Sequence, residues 1–241
     1  MQVTKMLVPE SKYNIKCPYE MTPEFIVIHN TANDASAMAE ISYMIGNNNK
    51  VSYHCAIDNT RIVQGVPFDR NTWNAGDGGN GNGNRKGISL EICYSKSGGE
   101  DFEEAERLAA EYTAYLLKQY NWGIDKVKKH QDFANKYCPH RTLDMGWQRF
   151  LDMVSSYLED KPKNDEKIES GSDETVKTYQ NGSTTEVVYA DTACTKRIGS
   201  LDPRERCDCF GIFNDRAMVR YNVNGTNNFK IGFCKWLGGV K

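Results

Sequence analysis

Two histidines and one cysteine in this chain of 241 residues stand where they could do chemistry. His29 ends the apolar run FIVIH. A histidine placed where a buried strand emerges into a loop projects into the cleft at the strand end, the usual ligand position of α/β sheets. The segment HQDFANKYC then supplies a second imidazole, His130, and a thiolate donor, Cys138, eight residues on. Two ring nitrogens and one thiolate would leave a tetrahedral Zn²⁺ with its fourth position open, which is a catalytic rather than a structural geometry. The residue types leave other readings open. His29 and Cys138 could be ordinary buried groups, as most such residues are, or Cys138 and His130 could form a nucleophilic pair.

The elements that must position these groups read as alternating strands and helices. Residues 25–28 form a buried strand, and Asn33 or Asp34 is expected to cap a helix running to about Ile45. Further strands are expected over residues 51–58, 62–65 and 88–93; in the last, Ile88, Leu90 and Ile92 share one face while Ser89, Glu91 and Cys93 share the other. Two long helices follow, one through Phe102, Ala105, Leu108, Ala109, Tyr112, Tyr115 and Leu116, the other through Trp147, Phe150, Leu151, Val154, Tyr157 and Leu158. This pattern predicts an α/β fold, a mixed central sheet flanked by helices, for residues 1–158.

Residues 159–175 carry seven acids, three lysines and a single large apolar residue, Ile168, and read as a solvated acidic linker. Beyond it, residues 176–241 read as a small all-β domain, with a small barrel as one form it could take. Asn181-Gly182 and Asn224-Gly225 each lie between β-branched and aromatic stretches, the pattern of a hairpin turn. The formal charge of −2 is a cancellation: residues 176–241 carry ten Lys+Arg against six Asp+Glu, which leaves the rest of the chain at −6. That balance argues against a nucleic-acid binder, and no apolar run approaches the roughly 18 to 20 residues of a membrane span. The apolar start at Met6 is cut short by Pro9 and Glu10, so no export signal is expected and the eight cysteines are expected to be reduced.

Four segments in order, FIVIHNTAN, SYHCAID, TWNAGDGGNGNGNRKGISLEICYS and KKHQDFANKYCPHRTLDMGW, resemble the type-2 N-acetylmuramoyl-L-alanine amidases. These are zinc enzymes of phage lysis and bacterial wall turnover, related to peptidoglycan recognition proteins, and the likeness spans about residues 1–158. The resemblance implies that His29, His130 and Cys138 are zinc ligands, that Glu91 is the catalytic acid–base and that Lys136 stabilises the oxyanion. Tyr53 stands where other branches carry a catalytic tyrosine. Glu91 is preferred over it as the base because a carboxylate is the base available at neutral pH. Asp132 reads as an exposed loop residue rather than a partner of a ligand. Where many members have Trp-His-Ala-Gly, this chain has Trp73-Asn74-Ala75-Gly76, an amide in place of an imidazole.

Two features read as decoys. The string from Gly76 to Gly81 fits G-x-G-x-x-G but leads toward a strand instead of leaving one, so a flexible loop beside the substrate groove is expected. Cys194, Cys207, Cys209 and Cys234 lack paired C-x-x-C knuckles and read as core thiols rather than a second zinc site. The segments NGSTTEVVYAD, KRIGSLDPRERCDC and KIGFCKWLGG are similar to the wall-binding C-termini of clostridial phage endolysins. Tyr189, Tyr221, Phe229 and Trp236 are its candidate ligand-facing aromatics, with barrel core as the alternative. In such relatives a free C-terminal fragment can associate with the full chain, and Val176 lies where one would begin.

The sequence therefore predicts a phage endolysin: a zinc amidase cutting between N-acetylmuramic acid and L-alanine, tethered to a wall-binding domain. Its expected partners are peptidoglycan and anionic wall polymers, with no nucleic acid and no membrane insertion. It is expected in the host cytoplasm until a holin-type pore releases it. The rivals are a non-catalytic peptidoglycan recognition module, which would lack the Cys138 thiolate, and an endopeptidase cutting the stem peptide at the same zinc.

Overall fold

The computed structural model describes residues 1–159, 177–190, 194–213, 215–223 and 229–240. The chain divides into two compact units, Met1–Lys167 and Ile168–Lys241. The expected acidic linker lies outside the described residues except for Glu159, which ends a helix of the first unit.

The first unit runs β1 (Val3–Lys5), α1 (Tyr13–Lys16), β2 (Phe25–Asn30), α2 (Ala37–Gly46), β3 (Cys55–Ile57), β4 (Ile62–Gln64), α3 (Asn82–Lys86), β5 (Gly87–Ile92), α4 (Gly99–Tyr120), β6 (Val127–Lys129), α5 (His140–Met145) and α6 (Trp147–Glu159). The strands form one mixed sheet in the order β1-β4-β3-β5-β2-β6. Only β3 and β4 are antiparallel neighbours, because only they are joined by a tight turn. Asp58 makes that turn: its Oδ1 accepts from the N–H of Thr60 and of Arg61, 2.8 and 2.9 Å away.

The strand expected over residues 51–58 is shorter than its pattern, since Ser52 leaves the ladder to bridge Trp73. Helix α2 begins later than expected. Asn33 accepts from the Ala35 N–H at 2.8 Å, and Asp34 accepts from the Ser97 N–H at 2.8 Å, so neither is free to cap. Ser36 caps instead, accepting from the Ala39 N–H at 3.3 Å. Gly65 lets α2 lie close to the sheet, for a Cβ there would meet Met44 Cε at 2.6 Å and Ile41 Cδ1 at 2.8 Å.

One face of the sheet carries the main core. Ile26, Ile28, Cys55, Ile57, Ile88, Leu90 and Ile92 pack against Phe102, Ala105, Ala109 and Leu116 of α4 and Phe150 and Val154 of α6. The alternation read from residues 88–93 holds, but both faces are covered and every residue of β5 is buried. That double covering is what places Ser89 and Glu91 in a protein interior instead of in water.

The glycine- and asparagine-rich stretch after Trp73 is laced down. Asp77 accepts from the N–H groups of Gly83 and Asn84 at 2.6 and 3.2 Å, at the start of α3. Buried Asn84 returns the favour: its Oδ1 accepts from the N–H of Asn74 and of Ala75 at 3.1 and 2.9 Å, and its Nδ2 donates to the Gly78 carbonyl at 3.0 Å. The loop expected to be flexible is thus tied through one asparagine, and a five-residue helix that the sequence pattern did not reveal separates it from β5.

The second unit is a six-stranded, wholly antiparallel sheet of β7 (Lys177–Gln180), β8 (Glu186–Tyr189), β9 (Arg197–Leu201), β10 (Arg206–Phe213), β11 (Arg216–Asn222) and β12 (Phe229–Cys234), in the order β7-β10-β11-β12-β8-β9. Among the described residues β7 and β9 are its edges and do not pair. Asn181-Gly182 is not a hairpin turn, because β7 pairs with β10 and β8 with β12 and β9. The buried Asn181 side chain instead donates to the carbonyls of Thr184 at 2.9 Å and Asp202 at 2.8 Å, holding the crossing chain. Around Asn224-Gly225 the flanking β11 and β12 do pair, Asn222 opposite Phe229; the connection itself lies outside the described residues. Gly199 makes room for Tyr221, whose hydroxyl lies 2.0 Å from where a Cβ would stand.

Asn84→Ala leaves two amides without their acceptor. It is expected to destabilise the first unit by about 1–3 kcal/mol, read as a lower midpoint in urea unfolding of the full chain.

Candidate metal centre and active site

The site begins with a strand register. β2 and β5 run parallel with His29 opposite Glu91, so both side chains leave the same face, and His29 Nδ1 lies 3.9 Å from Glu91 Oε1. On the other side of β2, Ile28 pairs with Lys129, the last residue of β6. The chain then turns at once into a 3₁₀ turn, His130–Asp132, which sets His130 beside His29 with their Nδ1 atoms 3.0 Å apart. The Gln131 N–H donates to the Cys138 carbonyl at 3.0 Å, closing the loop that carries the thiol back to the histidines. One donor atom from each of His29, His130 and Cys138 lies within 4.8 Å of the others, and all three residues are buried.

Burial governs the electrostatics. It lowers the pKa of His29 far below the usual histidine value, and that of His130 to about 4, with the Lys136 ammonium adding to both effects. Both rings are therefore neutral and can offer lone pairs. Burial also pushes the Cys138 thiol up to about 11 and Glu91 up to about 7, while Lys136 pulls each back. A thiol in this setting ionises only when a cation arrives to compensate it.

The donors fit such a cation. Tetrahedral coordination with Zn–N bonds of ~2.0 Å would put two ring nitrogens about 3.3 Å apart, close to the 3.0 Å observed. Two further buried atoms, His29 Nε2 and Glu91 Oε2, have no protein partner. The structure thus brings together a His/His/Cys group that could hold a metal ion, with a carboxylate alongside whose second oxygen is uncommitted.

Residues around this centre hold it in place. Asn74, at the position where the sequence departs from its resemblance, donates from Nδ2 to Glu91 Oε1 at 3.1 Å and to Ser89 Oγ at 2.6 Å, so it orients the carboxylate. Nothing in the sequence pattern marked that contact. Asp132 touches neither ring; its Oδ2 accepts from the Lys129 N–H at 3.0 Å and caps the turn bearing His130. Lys136 is exposed, two residues before Cys138, with its charge felt at both histidines, Glu91 and Cys138. Tyr53 is buried, and its hydroxyl is 2.9 Å from Glu40 Oε2, to which it can donate. Burial and the Glu40 charge raise its pKa far above the usual phenol value, so it stays protonated.

The remaining histidines serve the scaffold. His54 Nδ1 accepts from the Ser89 N–H at 2.9 Å, which leaves the proton on Nε2, donated to the Arg70 carbonyl at 2.9 Å. His140 Nε2 lies 3.1 Å from the Ser95 carbonyl. Among the described residues no two cysteines are joined in a disulfide, and those of the second unit form no metal-binding group. Of the four aromatics singled out there, Tyr221 and Phe229 are core, Tyr189 is half-buried under the Lys235 ammonium, and Trp236 is 40% exposed, edge-on to Tyr179.

Comparison with known proteins places this geometry among relatives. The family model described as N-acetylmuramoyl-L-alanine amidase matches residues 19–141, slightly more than half the chain. The chain is 56% identical over 157 residues to the N-acetylmuramoyl-L-alanine amidase XlyB of Bacillus subtilis, covering 65% of this chain and 50% of that one. It is 57% identical over 146 residues to CwlA of the same organism, an enzyme of the same name, covering 61% and 54%. The chain thus spans about half the length of these curated relatives. Among solved structures, PlyL shares 51% identity with a TM-score of 0.62, covering 64% of this chain and 97% of its own. The PlyG catalytic domain shares 48% with a TM-score of 0.63, covering 68% and 99%.

A Co²⁺-loaded chain is expected to show thiolate-to-metal charge transfer in the near ultraviolet, and Cys138→Ser is expected to abolish it. An unchanged band in that variant would remove Cys138 from the metal site.

Proposed function

This chain belongs to the N-acetylmuramoyl-L-alanine amidase family, and from that premise we propose that it hydrolyses the amide between N-acetylmuramic acid and L-alanine in peptidoglycan. We further propose that the metal held by His29, His130 and Cys138 is Zn²⁺. The observation that carries this reading is the convergence of three buried donors beside a carboxylate: His29 and Glu91 paired across β2 and β5, with His130 and Cys138 closing from the other side. A recognition module would have no use for the buried thiol or for the raised carboxylate.

Amide hydrolysis needs a polarised carbonyl, a deprotonated water, a stabilised oxyanion and a protonated leaving amine. Zinc supplies the Lewis acidity when bound. Glu91 supplies the proton transfers: a carboxyl pushed up to about 7 can take a proton from water and return it to the leaving nitrogen near neutral pH. Asn74 holds one carboxylate oxygen, leaving Oε2 to work. Lys136 brings a cation to the mouth of the site, where it offsets negative charge developing on the carbonyl oxygen. Tyr53 acts in this reading through position, pinning the segment before β3 to α2 through Glu40, since its hydroxyl is already engaged.

The second unit is assigned to wall binding. Its sequence carries four more cations than anions, suited to anionic wall polymers, and Trp236 offers an exposed aromatic face. A tether between a hydrolase and a wall binder raises the effective concentration at an insoluble, repeating substrate. This reading makes the protein an endolysin that waits in the host cytoplasm for a holin-type pore, with a free C-terminal fragment as a further binding partner.

A strong chelator is expected to abolish lysis of purified walls, and added Zn²⁺ to restore it. Glu91→Ala should keep its metal while kcat falls by roughly 10²–10⁴-fold; full activity in that variant would remove the base role. Mass spectrometry of digested wall should find free L-alanine amino termini on intact stems, and new termini inside the stem would identify an endopeptidase instead. In sedimentation with walls, Trp236→Ala is expected to lower binding of the full chain with hydrolysis of soluble muropeptide unchanged.

A further inference from the structure

Asn30 follows His29 on β2 and is 5% exposed, yet no step of hydrolysis uses it. Its side chain reaches across to the segment after Cys138. Oδ1 accepts from the N–H of Arg141 at 2.9 Å and of Thr142 at 3.2 Å. These amides belong to the first turn of α5, where the helix provides no partner. Nδ2 donates to the His29 carbonyl at 3.2 Å and lies 3.4 Å from the Thr142 hydroxyl. One side chain is therefore bonded at once to the strand that bears His29 and to the residues that follow the Cys138-Pro139-His140 corner. The Gln131–Cys138 bond makes the matching link from His130. All of these bonds join protein groups to one another.

We infer that Asn30 is a positioning residue of the metal centre, fixing the Cys138 sulfur against His29 so that the three donors converge before the ion arrives. The inference rests on the metal-site reading and extends it. Its physical content is preorganisation. Without the Asn30 amide, the start of α5 has two unbonded N–H groups and the corner can move. Metal binding must then supply the ordering of the thiol, and affinity falls. Partners that orient ligands typically matter about 10- to 100-fold in metal affinity.

The test is a competition titration of the full-length chain with a chromogenic chelator, for Zn²⁺ and Co²⁺, with the cobalt spectrum recorded. Asn30→Ala is expected to bind Zn²⁺ at least about tenfold more weakly and to shift or weaken the thiolate charge-transfer band. Val154→Ala, which opens the α4–α6 core away from the site, controls for lost stability and is expected to match the wild type in both readouts. If Asn30→Ala does not fold, Asn30→Gln, which keeps the amide but displaces it by one methylene, is read by the same criteria. Wild-type affinity and spectrum in the Asn30 variant, or a loss no greater than that of Val154→Ala, would overturn the role of Asn30 alone. A wild-type chain that binds neither metal would overturn the metal reading and this inference with it.

Discussion

The register between β2 and β5 is the constraint on which the site depends. Placing His29 opposite Glu91 puts a donor and a carboxylate on one face, 3.9 Å apart, in a sheet covered on both sides. A slip of one residue would turn both into the apolar core under α4 and α6 and bring Ile28 and Leu90 out in their place. The isoleucines and leucine of these strands thus have a second effect beyond burying area. Because they can face only the helices, they fix the direction of His29 and Glu91.

Burial then sets the chemical character of those groups. In water His29 and His130 would be partly protonated near pH 6, and Glu91 would be fully ionised near neutral pH. In this interior the rings are neutral, the thiol is held by its proton and the carboxyl is raised toward neutrality. The same desolvation leaves both imidazoles with lone pairs to offer a metal, keeps the thiol protonated until a cation compensates it, and makes the carboxyl a group that can both take and give a proton. The cost of such polar burial is met by specific bonds: Asn74 to Glu91, His54 to Ser89 on the same strand, Asn84 to the backbone of Asn74 and Ala75. These side chains form a continuous frame from the glycine-rich loop to β5.

The second unit is built on different terms. It has one antiparallel sheet with a small core of Tyr179, Val188, Leu201, Cys209, Ala217, Val219, Tyr221 and Cys234. Aromatic side chains that would suit a ligand surface are used mostly as filling, and Trp236 is the large hydrophobic group of the unit's last stretch that remains exposed at 40%. A unit this small has too little apolar volume to spare its tyrosines and phenylalanines. The cationic excess therefore carries more of the unit's surface character than its aromatic content does.

How much was legible follows from the range of each interaction. The alternating and 3.6-residue patterns identified β2, β5, α4 and α6 and their apolar faces, because these depend on neighbours two to four positions away. Donor chemistry was legible too: two imidazoles and a thiol are distinctive in any order. Three-residue strands such as β1 and β6 carried no usable period, and the helix α3 was hidden by glycines and asparagines. Asn181-Gly182 has hairpin chemistry, yet the sheet order sends its flanking strands to different partners, a choice made by the whole core. Likewise, what joins Asn74 to Glu91 and Asn30 to the Cys138 corner is proximity across 17 and more than 100 residues. The amino-acid sequence by itself determined which groups could bind a metal and which faces had to be buried. Tertiary structure decided which of them meet, because convergence is set by strand register and long-range hydrogen bonds that leave no local pattern.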